Sequence, residues 1–296
     1  MSEVDLSIRY VFVTPGSHRD RWVRIISECC EASGVVLKSE AHLHSSEPGD
    51  IILLTDLRHL PSRDLIRAGN VVVIYLGSDG AFQHFTSRVS ATERDALVDA
   101  SRVLSTALEM PLIQVVDGTR DVRDASLIFS DLRILLPPLV PSPTRAPRSD
   151  LSDEAALAIF DNGVPIAEGS EVFWPPELMI TDPRGEAARN AMGIDMTGSP
   201  RSLIFGSDLW LPPGRWEVVV SFDVDSEGVR HHLRMDWGMV DHAAEFEIHL
   251  ERPGRYEATM VSRWDRAASS DLRIVLTEGC VSGRFSYLGA RIRKLG

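Results

Sequence analysis

Residues 213–224, PGRWEVVVSFDV, and residues 253–264, PGRYEATMVSRW, open with the same phrase, Pro-Gly-Arg-aromatic-Glu, 40 positions apart. Pro-Gly makes a turn in which Gly alone tolerates a positive φ. The aromatic then begins a run that alternates apolar and polar residues. Trp216, Val218, Val220, Phe222 and Val224 share one face of the first copy, and Tyr256, Ala258, Met260, Ser262 and Trp264 one face of the second. Period-two alternation belongs to half-buried strands of antiparallel sheets. By the same alternation Trp216, Trp237 and Trp264 are core residues.

The pattern extends on both sides. Leu157–Phe160, Glu171–Phe173, Leu178–Thr181, Gly193–Thr197, Ser202–Phe205, Arg215–Asp225, Val229–Trp237, Ala244–Glu251, Arg255–Asp265, Leu272–Thr277 and Phe285–Arg293 all read as strands. Turn residues recur between them at the spacing of a two-sheet sandwich. Asp161-Asn162-Gly163 and Asp225-Ser226-Glu227-Gly228 read as hairpin connections. Residues 153–296 are therefore expected to form an antiparallel β-sandwich.

The first half reads differently. Ile8–Thr14, Val35–Lys38, Ile51–Thr55, Val71–Leu76 and Leu112–Val116 are apolar strand signals, separated by helical ones. Trp22, Ile25, Ile26 and Cys29 share one helical face, closed by Gly34; Ser62–Ala68 and Thr92–Leu108 are further helices. Short, fully apolar strands between helices mark a parallel sheet covered on both sides. Residues 1–136 are expected to form a small Rossmann-like or flavodoxin-like α/β domain. Prolines 137, 138, 141, 143 and 147 then make 137–152 a stiff linker.

The net charge of −12 argues against nucleic acid and against docking on anionic lipid. Three cysteines, two of them adjacent, make no disulfide framework. No apolar run reaches the ~20 residues of a membrane helix, and the acidic start is not a signal peptide. A cytoplasmic location follows as an expectation, without direct membrane insertion, with a homo-oligomer possible.

"SLIFGSDLWLPPGRWEVVVSFDVD", "RPGRYEATMVSRW" and the closing "GRFSYLGARIRKL" resemble the jelly-roll module, similar to carbohydrate-binding modules, attached to bacterial polysaccharide-biosynthesis proteins and glycosyltransferases. The first half resembles one Rossmann-like half of a two-domain glycosyltransferase. A complete enzyme of that type has two such halves around its nucleotide-sugar, and this chain supplies one. The resemblance implies an accessory or glycan-binding protein of surface-polysaccharide biosynthesis whose sandwich holds a saccharide or a partner protein. A glycosyltransferase-like enzyme using the α/β half and a structural oligomerisation module are the alternatives, and the reading leans away from catalysis.

Two sets of residues carry these options. Ser17, His18 and Arg19 follow the first strand, Asp56 the third and Asp79 the fourth. In a parallel sheet these loops share one edge, where phosphates favour helix N-termini; the competing reading is an ordinary capped turn, since no phosphate-loop motif is present. Trp174 and Trp210 stand at strand ends before prolines; sugars stack on exposed rings, and the competing reading is that both rings pack into their turns. His232, Arg234 and Asp236 share the polar face of their strand. His42 and His44 would point to one face of a strand, but no metal-ligand spacing recurs, and no metal or cofactor is expected. A calcium reading of Asp223, Asp225 and Glu227 competes with a plain hairpin.

Overall fold

The computed structural model describes residues 8–16, 18–56, 70–87, 92–109, 114–118, 125–138, 155–161, 164–181, 193–225, 230–239 and 241–296, the side chain of Asp79 excepted. The chain divides into two compact units, Met1–Thr92 with Thr106–Ser149, and Glu93–Ser105 with Asp150–Gly296. The expected helix at 62–68 and the linker beyond Pro138 lie outside the described residues.

The first unit is α/β. Strands β1 (Arg9–Val13), β2 (Leu37–Ser39), β3 (Ile51–Leu54), β4 (Val71–Tyr75) and β5 (Gln114–Asp117) form one sheet in the order β2-β3-β1-β4-β5. Every pairing is parallel. All residues of β3 and β4 are buried, which is why both read as unbroken apolar runs. Helix α1 (Arg19–Ala32) buries Trp22, Ile25, Ile26 and Cys30, so Cys30 rather than Cys29 completes the face. Gly34, at φ +67°, turns the chain out of the helix. The hairpin of β6 (Ser126–Ile128) and β7 (Arg133–Leu135) adds Leu127 and Ile134 to the same core. Helix α2 (Ser78–Thr86) follows β4, and α3 (Glu93–Glu109) comes after it, with its Glu93–Ser105 portion belonging to the second unit. His42 and His44 lie in a 3-10 helix, Glu40–Ser45, not a strand. At three residues per turn they do not share a face, and His42 Nδ1 is 3.1 Å from Ser39 Oγ.

The second unit is a sandwich of β8 (Glu171–Trp174), β9 (Met179–Thr181), β10 (Ile194–Asp195), β11 (Arg201–Leu211), β12 (Gly214–Asp225), β13 (His231–Met239), β14 (His242–Leu250), β15 (Gly254–Trp264), β16 (Ala268–Leu276) and β17 (Arg284–Lys294). One sheet, which holds both copies of the repeat, runs β10-β17-β12-β15, with β8 paired to β17. The facing sheet runs β14-β13-β16-β11-β9. All the pairings are antiparallel.

Two expectations fail for identifiable reasons. Leu157–Phe160 is not a strand; Ala158–Asp161 is a 3-10 helix that buries Ile159 and Phe160. β12 and β13 do not pair as a hairpin, because they belong to different sheets; residues 226–229 lie outside the described residues.

The two Pro-Gly-Arg copies pair with each other. Gly214 stands opposite Trp264 and Gly254 opposite Val224, while Val219 faces Thr259, its own counterpart 40 positions on. The glycines sit at φ +150° and +151°, which explains why the phrase repeats its Gly. Trp216, Trp237 and Trp264 are buried as the alternation predicts. Trp237 of the facing sheet meets Trp264 of the repeat sheet edge to face at 4.8 Å. Each such side chain contributes about 1.5–3 kcal/mol relative to exposure. The Trp237 Nε1–H donates to Ser270 Oγ at 2.9 Å, both residues being wholly buried.

Candidate functional site

In the α/β unit, parallel pairing brings the loops after β1, β3 and β4 to one edge. Leu76 N–H donates to Thr14 Oγ1 across that edge at 2.9 Å. His18 is the N-cap of α1 and Arg19 its first residue; the Arg19 guanidinium donates to the Thr55 carbonyl. Asp56 is half-buried beside it. Ser17 and the side chain of Asp79 lie outside what is described, although Asp79 itself falls in the first turn of α2. The amides at the end of β3 are already engaged. Glu40 accepts Thr55 N–H at 2.9 Å, Thr55 Oγ1–H at 3.0 Å and Asp56 N–H at 3.2 Å. A carboxylate of the protein thus occupies the donors that an anionic ligand would need there. Sequence reasoning missed Glu40 because its 3-10 helix carries no strong periodicity.

In the sandwich, Trp174 is only 1% exposed. It stands opposite Ala290 on the inner face of β8 and packs into the core, so it offers no platform to a sugar. The exposed ring of that strand is Phe173, which lies over Gly289; a Cβ there would come within 2.3 Å of its Cζ. Trp210 is half-buried. Its main-chain N–H donates to Ser101 Oγ at 3.0 Å and its main-chain carbonyl accepts from Ser105 Oγ at 2.9 Å, both within the same compact unit.

His232, Arg234 and Asp236 stand together on the outer face of the facing sheet. His231, between strand neighbours, turns inward and is buried, its ring nitrogens without partners among the described residues. Arg234 Nε lies 3.1 Å from Asp236 Oδ1 and 3.9 Å from Glu245. His232 Nδ1 is 3.1 Å from Glu278, and its ring meets His249 edge-on at 4.3 Å. Register extends this surface across the sheet: Asp236 stands opposite Arg273, Arg273 opposite Phe205, and Phe205 opposite Ile180. Phe205 is 38% exposed. An aromatic ring thus lies two inter-strand spacings, roughly 10 Å, from a carboxylate on the same face. Arg234 and Glu245 are the solvent-facing members of this cluster, while the Asp236 carboxylate is largely buried beside Arg234. Alternation within SLIFGS identifies Phe205 as a face residue, but β11 is bulged beside it, which hides which face it takes.

At one end of the repeat sheet an open hollow of about 760 Å³ is lined by Asp223, Asp225, Arg255, Arg284 and Ser286. Arg255 grips Asp223 in a fork, at 2.9 and 3.1 Å, and holds its carboxyl below the usual range. With Asp223 neutralised in this way, it is a poor calcium ligand; Glu227 lies outside the described residues. Among the described residues no three His, Cys, Asp or Glu side chains gather as a metal site requires, and no helix is long and apolar enough to cross a membrane.

No protein-family model matches the chain, and no curated protein matches it. Several solved structures are similar to it. One is TmCBM61 in complex with beta-1,4-galactotriose, at 10% identity and TM-score 0.28 over 43% of this chain and 90% of that one. Another is the Glycosylation Associate Protein (Gap123) complex from Streptococcus agalactiae, at 10% identity and TM-score 0.28 over 97% of this chain, which spans 50% of that one. A third is the C-terminal CBM6 of LamC, a laminarinase from Zobellia galactanivorans, at 13% identity and TM-score 0.21 over 34% of this chain and 77% of that one. Two of the three are carbohydrate-binding modules. Likeness at this level names no ligand for this chain.

Proposed function

We propose that the protein is an accessory, non-catalytic component of surface-glycan biosynthesis whose sandwich binds a saccharide on the outer face of the facing sheet. The row Phe205–Arg273–Asp236 carries the reading. A sugar ring stacks its C–H face on Phe205, and its hydroxyls exchange hydrogen bonds with Asp236, Arg234 and Arg273. His232 and its Glu278 partner extend the same face toward a second sugar unit. Glu40 argues against a nucleotide-dependent role for the α/β edge, since it fills the donors at the end of β3.

The test is calorimetric titration of the full chain with neutral galacto-, gluco- and manno-oligosaccharides. Phe205→Ala should weaken the best binder at least about tenfold, because burying a phenyl side chain is worth about 1.5–3 kcal/mol. Saturable binding that Phe205→Ala leaves unchanged, or no binding to any of these saccharides, would reject the proposal.

A further inference from the structure

The internal repeat contains its own control experiment. Because β12 and β15 are the two copies and pair antiparallel about Val219 and Thr259, the pair is nearly two-fold symmetric. The position where Asp223 faces Arg255 corresponds, at the opposite end, to the position where Arg263 faces Arg215. All four side chains alternate with inward-facing neighbours, the buried Phe222, Trp216 and Trp264 and the half-buried Tyr256, and so project from the outer face. One end holds a forked Arg–Asp pair. The other holds two arginines.

Like charges directly opposite one another destabilise a sheet, and facing Cα atoms in such a ladder are only about 4.5–5.5 Å apart. Both arginines are exposed, and among the described residues neither guanidinium has a hydrogen-bond or ion-pair partner. The carboxylate beside them on the same face, Glu217, is taken by Arg293 at 2.6 Å. Gly296 accepts the main-chain N–H of Arg215 at 2.9 Å, not its side chain. In a chain of net charge −12, two adjacent uncompensated guanidinium groups run against the composition.

We propose that Arg215 and Arg263 form a clamp for an oxyanion group of a ligand, a phosphate ester or a sugar carboxylate. Two guanidinium forks present parallel N–H donors of the geometry that such groups accept. The anion takes the place that Asp223 occupies at the other end of the repeat. This site lies on the opposite sheet from the Phe205 face and does not depend on it.

The experiment uses the full chain at low ionic strength. The Nε–H resonances of its arginines are followed by NMR during separate titrations with inorganic phosphate and with glucuronate. Saturable shifts at Arg215 and Arg263 with either probe support the clamp, and the probe that binds tighter assigns the source. Arg263→Asp rebuilds the pair already seen at Arg255 and Asp223, so it should fold at least as stably as the parent. It should also weaken the anion response at least tenfold. Unmoved Arg215 and Arg263 resonances with both probes, or an Arg263→Asp chain that binds as tightly as the parent, would overturn the proposal.

Discussion

Removing one hydroxyl, in Ser270→Ala, should destabilise the sandwich out of proportion to its size. Ser270 and Trp237 are both fully buried, and the hydroxyl accepts the indole N–H at 2.9 Å. Without that acceptor the N–H remains in the core unpaired, which costs about 1–3 kcal/mol. For a unit of this size that is a fall in Tm of roughly 4–8 °C around the centre of the range. Trp237→Phe should cost more, because it also removes indole volume between the sheets and weakens the contact with Trp264. The double variant should lie within about 0.5 kcal/mol of Trp237→Phe alone, since the hydroxyl then has no donor to serve. The two single costs therefore overlap by nearly the whole Ser270→Ala cost, about 1–3 kcal/mol. Far-ultraviolet circular dichroism in urea reads all four proteins without relying on tryptophan emission. A Ser270→Ala chain within about 0.5 kcal/mol of the parent, or single costs that simply add, would refute the reasoning.

Two further outcomes are expected. Burial, and to a lesser degree the neighbouring His232, lowers the pKa of His231 from its usual 6.5; the unfolded chain then binds the proton more readily, so stability is full above about pH 6.5 and declines as pH falls through that value toward the folded pKa. His231→Leu should flatten this slope of urea midpoint against pH, and an unaltered slope would exclude His231 as its source. Glu40→Ala strands three half-buried donors of Thr55 and Asp56 and should destabilise the α/β unit by about 1–3 kcal/mol, with Glu40→Gln intermediate; a urea midpoint unmoved by either variant would show that water replaces the carboxylate without loss.

The parts of the fold that obey a period were legible in the sequence. VVVIY is buried on both faces because it lies inside a parallel sheet, and PGRWEVVVSFDV alternates because one side meets the core and the other meets water. What could not be read is whatever depends on a neighbour distant in sequence. EVFW shows that Phe173 and Trp174 face opposite ways, but only the pairing with β17 decides which is inside. The proline pair after Trp174 suggested an exposed end, and packing opposite Ala290 overrode it. At the candidate site, alternation placed His232, Arg234 and Asp236 together, whereas Phe205 joins them only through β16, 68 positions further along the chain at Arg273. Turn composition after Asp225 likewise suggested a pairing of β12 with β13, but composition does not say which sheet the next strand joins.

The position of β17 has a consequence for synthesis. It follows the other strands of the two sheets in sequence, yet it lies inside the repeat sheet, with β12 on one side and β8 and β10 on the other. Until residues 284–294 emerge from the ribosome, β12 presents an open edge, Phe222 lacks the stacked ring of Phe285, and Trp174 lacks Ala290 opposite it. The α/β unit can collapse early around its local strand–helix contacts, whereas the repeat sheet stays incomplete until β17 is made. During that interval the nascent chain is exposed to aggregation and depends on whatever shields it.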